Sequence, residues 1–283
     1  MIEFLFIIAT VYVGFAIIQD FKTREVANWL NFSLIVFALA ARMFWSVFAD
    51  DYSFILFGLF GLSVGFLVAH IFYYSRLFAG GDAKLLIALF TVIPIENTFY
   101  YNVLIFLVFL IALLVFGALY SLLYSISLSV LHWKDFKKNF VKKYRRYKHH
   151  FYLSFFVALF FLVLSFFPGN TALLVVSLVV FVFPYLYVYL KSVEQASLVL
   201  DVSVSKLTVG DWLVEKVRVH GKEIKPDWEG LSERDLGLLK KYHEGKIRVR
   251  YGVPFTPSFL FALLAVIALY YLGSDWGLWG FFG

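Results

Sequence analysis

Cysteine is absent from all 283 residues. That excludes disulfides, a thiol nucleophile and any cysteine-ligated zinc or iron–sulfur site. Charge is scarce as well: only 16% of residues are Asp, Glu, Lys or Arg, against about a quarter in an ordinary soluble domain. The first residues, Met1-Ile2-Glu3, carry no basic stretch, and no small-x-small cleavage site precedes Asp20. The first apolar run is therefore expected to be a retained helix and not a removed signal. No long internal repeat is visible. What is abundant is apolar surface, with 62% of residues hydrophobic, 21% aromatic and 35 of them Phe. Such a composition calls for lipid as solvent. The net charge of +6 raises the question of nucleic acid, but the bases are confined to particular loops. Topology accounts for them, and no nucleic-acid partner is expected.

A helix crossing the hydrocarbon layer needs about 20 apolar residues. Candidate spans cover residues 2–18, 29–48, 53–74, 83–93, 103–131, 151–167, 172–190 and 255–272. The fold class expected is an all-α polytopic membrane protein of about eight transmembrane helices with a small α+β cytoplasmic insert. Lys and Arg set its orientation. The first loop holds Lys22 and Arg24, the second only Asp50 and Asp51, the third Arg76 with Lys84 just beyond it, and the fourth Glu96 and no base. The fifth, residues 132–150, carries eight bases against the single acid Asp135. The sixth, at Pro168-Gly169-Asn170, is uncharged, and the tail after Leu272 holds only Asp275. Bases thus fall on alternate loops, which the positive-inside rule makes cytoplasmic, with both termini outside the plasma membrane.

The chain divides on this reading into five parts. Residues 1–131 form an N-terminal membrane part carrying a pair of aspartates, 132–150 a basic cytoplasmic loop, and 151–190 two further membrane helices. Residues 191–252 form a small cytoplasmic domain, and 253–283 a final membrane helix with a short outer tail. The 191–252 stretch has twelve bases and ten acids and alone reads as soluble. Residues 212–219 are strand-like, His220-Gly221 offers a turn, and Ser232 reads as a helix N-cap ahead of Glu233 and Asp235. Gly245 is expected as the C′ residue of that helix, and residues 247–251 alternate again. The insert is small for a large core of its own, and either caps the helices or takes part in substrate recognition.

Ionisable groups at membrane depth are functional candidates by default. Asp20 follows the first span, at a helix C-terminal end where a carboxylate opposes the dipole. Taken alone it reads as a solvated boundary acid. Asp82, after Gly80 and Gly81, reads alone as an N-cap, although two glycines also let another backbone approach closely. Topology couples the two acids: the first span runs inward to Asp20 and the fourth starts from the same side at Asp82, 62 positions later. The fourth span is short, about 16–20 Å of helix against about 30 Å of hydrocarbon. Either its outer loop dips inward or its Gly-Gly-Asp end is recessed, and recession of Asp82 is expected here, with desolvation opposing ionisation of its carboxyl. Asp20, Arg24 and Asn28 would share one face if the first helix continued. Lys84 reads as a cation snorkelling to the interface, or as one that holds the local field. Arg42 and His70 read as packing or snorkelling groups.

These residues resemble the type IV prepilin peptidase family, GxGD-type intramembrane aspartyl proteases that include the archaeal preflagellin (archaellin) peptidases. The family's aspartate, basic stretch and asparagine are matched by Asp20-Phe21-Lys22-Thr23-Arg24-Glu25-Val26-Ala27-Asn28. Its Gly-x-Gly-Asp-x-Lys-Leu signature is matched by Ala79-Gly80-Gly81-Asp82-Ala83-Lys84-Leu85, with Ala79 in place of the first glycine. Gly252-Val253-Pro254-Phe255-Thr256-Pro257 looks like the segment that opens the family's final helix. The resemblance implies a catalytic dyad of Asp20 and Asp82, supported by Gly80, Gly81, Lys84, Arg24 and Asn28, with no metal or cofactor. Its implied partners are precursors with class III-type leader peptides (prepilins and prearchaellins), besides membrane lipids. Such leaders are basic and would be repelled by residues 132–150, so that loop is read as setting orientation and touching anionic lipid. With no cysteine-rich insert after the first helix, the chain looks like the peptidase-only archaeal type. The alternatives are an ion- or proton-coupled transporter using intramembrane carboxylates, a presenilin-like intramembrane protease, and a non-catalytic scaffold of a secretion machine.

Overall fold

Six helices in a computed structural model are long and apolar enough to cross a membrane, among the described residues 1–95, 98–167 and 169–276. Glu96 and Pro168 lie outside those residues, and side chains are described only as far as Leu272. The six are α1 (Ile2–Thr23), α2 (Asn28–Ala49), α3 (Ser53–Tyr74), α5 (Phe99–Leu131), α7 (Lys148–Ser165) and α8 (Ala172–Val193). Two further helices occupy the other expected spans, α4 (Gly80–Val92) and α10 (Thr256–Trp276). Large apolar side chains point outward along the long helices, for example Ile7, Val36, Leu67 and Phe156. A multi-pass membrane protein is the class these features define.

The chain forms two compact units, one of residues 1–122 and 253–283, the other of residues 123–252. In the first, α4 is the hub. Leu85, Leu86, Ala88, Leu89, Phe90, Thr91 and Val92 are all buried, so α4 faces protein almost all round and has no lipid stripe to present. Helices α1, α2 and α3 pack on it, and Phe90 stacks on Phe106 of α5 with ring centroids 4.5 Å apart. The closest approach is to α3, through a row of glycines. A Cβ at Gly61 would sit 2.0 Å from the Phe90 carbonyl oxygen, and one at Gly65 would sit 2.7 Å from the Phe90 Cβ. Small residues at this spacing let two backbones come together where lipid offers no hydrophobic drive.

Two stops define α4. Ahead of it Ala79 is extended (φ −72°, ψ 163°), and behind it Pro94 cannot continue a helix. The terminal carbonyls are taken up by Arg42 of α2, a side chain 1% exposed. Its Nε donates to Thr91 O (3.1 Å), its Nη2 to Val92 O (2.9 Å) and Pro94 O (2.6 Å), and its Nη1 to Phe54 O (3.2 Å). Arg42 therefore does not snorkel: it is the C-terminal cap of α4. Ile93 and Ile95 beyond that cap are buried, whereas Gly80, Gly81 and Asp82 are part-exposed. The far end of the short helix can be buried because a guanidinium there satisfies carbonyls that would otherwise need water.

In the second unit the segment expected as a loop at 132–150 is helical: α6 (Trp133–Arg146) precedes α7 after a single turn residue, Tyr147. Most of the basic residues project, Lys143 instead donates to the Lys191 carbonyl, and Phe136 is buried against Tyr189 of α8. Helices α7 and α8 form a hairpin in which Ser177 Oγ donates to the Ala158 carbonyl at 2.7 Å. Helix α8 overruns its expected end and passes through a π-turn (Glu194–Leu198) into β1 (Val199–Ser203). Strand β1 pairs antiparallel with β5 (Lys246–Arg250), which pairs on its other side with β2 (Trp212–Leu213). The run 212–219 is not one strand: it breaks after Leu213 and resumes as β3 (Val217–Val219), in a hairpin with β4 (Lys222–Ile224). Both hairpin residues, His220 and Gly221, have positive φ (47° and 78°), the type I′ geometry that matches strand twist.

Helix α9 (Glu233–Tyr242) starts as expected, with Ser232 Oγ accepting from the Asp235 N–H. It ends differently, since its C-cap is His243 in extended conformation. Gly245, at φ 120°, lies two residues further on at the entry to β5 and not at C′. Ten apolar residues, including Leu207, Leu239 and Val249, give this insert a core of its own.

Candidate active site

Asp20 lies in the last turn of α1 and is only 8% exposed, so it is not the solvated boundary acid its position suggested. A carboxylate at a helix C-terminus faces the negative end of the dipole. Here the start of α10 offsets that cost. Asp20 Oδ2 accepts two hydrogen bonds from Thr256, one from the backbone N–H (3.2 Å) and one from Oγ1 (2.8 Å), and Thr256 is fully buried. Thr256 carries no local sequence signal of this partner, which is 236 residues away. The clue lay in the Pro-Phe-Thr-Pro segment, where Pro257 supplies no N–H and leaves Thr256 as a donor free to reach outward.

Asp82 sits at the third position of α4, not at its N-cap, which is Ala79. Its carboxylate reaches back toward the Ala79 N–H, as an N3 acid does in a capping box, and it lies within coulombic reach of Asp20. The backbone of Ala79 is extended and strain-free for any residue, so alanine there in place of glycine costs no conformational energy.

The loop between α1 and α2 supplies the rest. Helix α1 stops at Thr23, with Arg24 in the left-handed region (φ 60°) and its N–H on Asp20 O. The expected common face for Asp20, Arg24 and Asn28 therefore does not form. Asn28 instead opens α2 and accepts from Lys84 Nζ at 2.6 Å, so Lys84 is tied to protein and not only to an interface. Gln19 Oε1 accepts the Ala27 N–H at 3.0 Å and fixes the same loop, a contact unmarked in the sequence. Gly81 faces this loop: a Cβ there would meet Val26 N at 3.4 Å, an ordinary contact, and one at Gly80 would have only Tyr73 Cε2 nearby, at 3.8 Å.

Three chain segments thus converge on one end of the first unit: the last turn of α1 with Asp20 and the loop after it, the first turn of α4 with Asp82, and the start of α10 with Thr256. Two carboxyls within electrostatic reach, one partly exposed and one buried, are a candidate acid–base pair. Such an acid pair within a polytopic helical unit defines a class, membrane proteins with paired carboxylates, before any relative is considered.

Comparison with known proteins places the N-terminal part more narrowly. Residues 5–122 match the model of the type IV leader peptidase family, which bears out the resemblance over the segment holding both acids. A stretch of 94 residues is 31% identical to a preflagellin peptidase of Methanococcus maripaludis, covering 33% of this chain and 40% of that relative. The chain therefore aligns with about two fifths of that protein's length. No solved structure matches.

Proposed function

We propose that this chain is a membrane-embedded aspartyl endopeptidase that removes the short basic leader from pilin-like or archaellin-like precursors. The observation that carries this reading is that Asp20 and Asp82 stand on two helices that pack together, α1 and α4, inside the segment that matches the leader peptidase family. Eight helices cross the membrane, α4 and α10 included, the site lies on the cytoplasmic side and the termini outside. In the reaction one carboxylate takes a proton from water as the water oxygen bonds to the scissile carbonyl carbon. The other, protonated, donates to the carbonyl oxygen, and the tetrahedral adduct collapses with proton transfer to the leaving amine. The pair shares its protons as a unit. Gly80 and Gly81 leave room beside Val26 for an extended substrate strand, and Lys84, Asn28 and Arg24 shape the loop that faces it.

The test is leader release from class III-type precursors by membranes carrying wild type, Asp20→Asn or Asp82→Asn. The expected outcome is cleavage by wild type and a loss of at least about 100-fold in each variant, the scale of acid–base catalysis. Full cleavage by either variant removes that residue from the dyad, and no cleavage by wild type removes the peptidase reading.

A further inference from the structure

Resting on that reading, we infer that Thr256 is a positioning residue for Asp20, and that it divides the work between the two carboxylate oxygens. Both Thr256 donors go to the same atom, Oδ2. A carboxylate held at one oxygen by two donors cannot rotate freely about its last torsion, so Oδ1 is the oxygen that the Thr256 anchor leaves for the chemistry. The anchor is rigid at its own end. Thr256 is fully buried, and the next donor of α10, the Ser258 N–H, is already occupied by the Phe255 carbonyl. Pro257 contributes no N–H. Among these first residues Thr256 alone turns both of its donors to the acid. The arrangement joins the chain's last described helix to the end of its first, so the reactive geometry of Asp20 is set by a residue 236 positions away. The α10 N-terminus contributes a favourable dipole to the same oxygen.

The hydroxyl can be removed while the backbone donor stays. Thr256→Val keeps the side-chain volume and deletes one of two anchors, and Thr256→Ser keeps both. With a precursor that wild type cleaves, Thr256→Val is expected to lower kcat by about 10- to 100-fold with KM unchanged, the scale at which misplaced reacting groups fail. Thr256→Ser is expected to restore most of the rate. A purely structural role would move both variants together with the unfolding temperature and would not separate kcat from KM. If Thr256→Val does not fold, Thr256→Ala removes the hydroxyl without added bulk and is read the same way. Full kcat in the hydroxyl-free variant, or equal losses in Val and Ser, overturns the positioning role while leaving the peptidase reading intact. Absence of cleavage by wild type overturns both.

Discussion

At its first turn α4 carries two glycines and an acid, all part-exposed, with room for a Cβ at either glycine. At its last turn the same helix is sealed, with Thr91, Val92 and Ile93 buried and a guanidinium on the carbonyls of Thr91, Val92 and Pro94. Thirteen residues thus pass from a loose end suited to chemistry to a tight end that holds the helix in place. The loose end can stay loose because the tight end carries the stability: a short helix with one capped terminus and close packing on α3 does not need its other terminus locked.

The strongest way to break this comparison is at Arg42. Arg42→Met keeps an apolar stem but strands the carbonyls of Thr91, Val92 and Pro94. With each buried unsatisfied group costing about 1–3 kcal/mol, a loss of about 3 kcal/mol or more is expected. Thermal unfolding in detergent or nanodiscs measures it. Asp82→Asn at the other end is expected to change stability by less than about 1 kcal/mol, since the amide keeps the shape of a part-exposed side chain. Equal losses at the two ends would erase the distinction.

Gly61→Ala comes next. The added carbon would meet the Phe90 carbonyl oxygen at 2.0 Å, backbone that cannot swing aside, so α3 must move off α4. Overpacking of this kind costs about 1–3 kcal/mol. The same unfolding assay should show it, and cleavage should fall only as far as folded protein is lost. A selective loss of kcat with normal stability would mean that the tight end also takes part in the chemistry.

The sequence was legible where the signal is local. Hydropathy located the helices, including the short fourth one, and Ser232 announced α9 because an N-cap hydroxyl, acids in the first turn and the helix all fall within a few residues. The two acids are expected on one side because loop charge assigns the ends of the spans to sides. Arg42 was not legible, since a cation in an apolar run carries the same pattern whether it snorkels or caps a partner helix. Thr256 was hidden by chain separation. The α3 glycines at 58, 61 and 65 could have been read, because small residues at spacings of three and four mark one helix face. The basic helix α6 was concealed by its charge: Trp133, Phe136, Phe140 and Tyr144 repeat at helical spacing, but eight bases drew the reading toward a loop.

The mildest substitution gives the sharpest discrimination. Gly81→Ala places a carbon 3.4 Å from Val26 N and 3.6 Å from Val26 Cβ, ordinary contact distances, and Gly81 lies in the helical first turn, where alanine is the better residue. The resting protein should therefore be unharmed or gain about 0.5–1 kcal/mol, because glycine loses more backbone freedom on folding. If the glycines serve only the fold, cleavage by Gly81→Ala will match wild type. If they keep a channel open beside Val26 for an extended precursor strand, the methyl group occupies that channel. KM then rises several-fold while kcat at saturating precursor stays near wild type and the unfolding temperature does not drop. A variant that is more stable and binds precursor less well would separate the roles of the two ends of α4 on a single residue, whereas a drop in unfolding temperature would place Gly81 with Gly61 as a packing glycine.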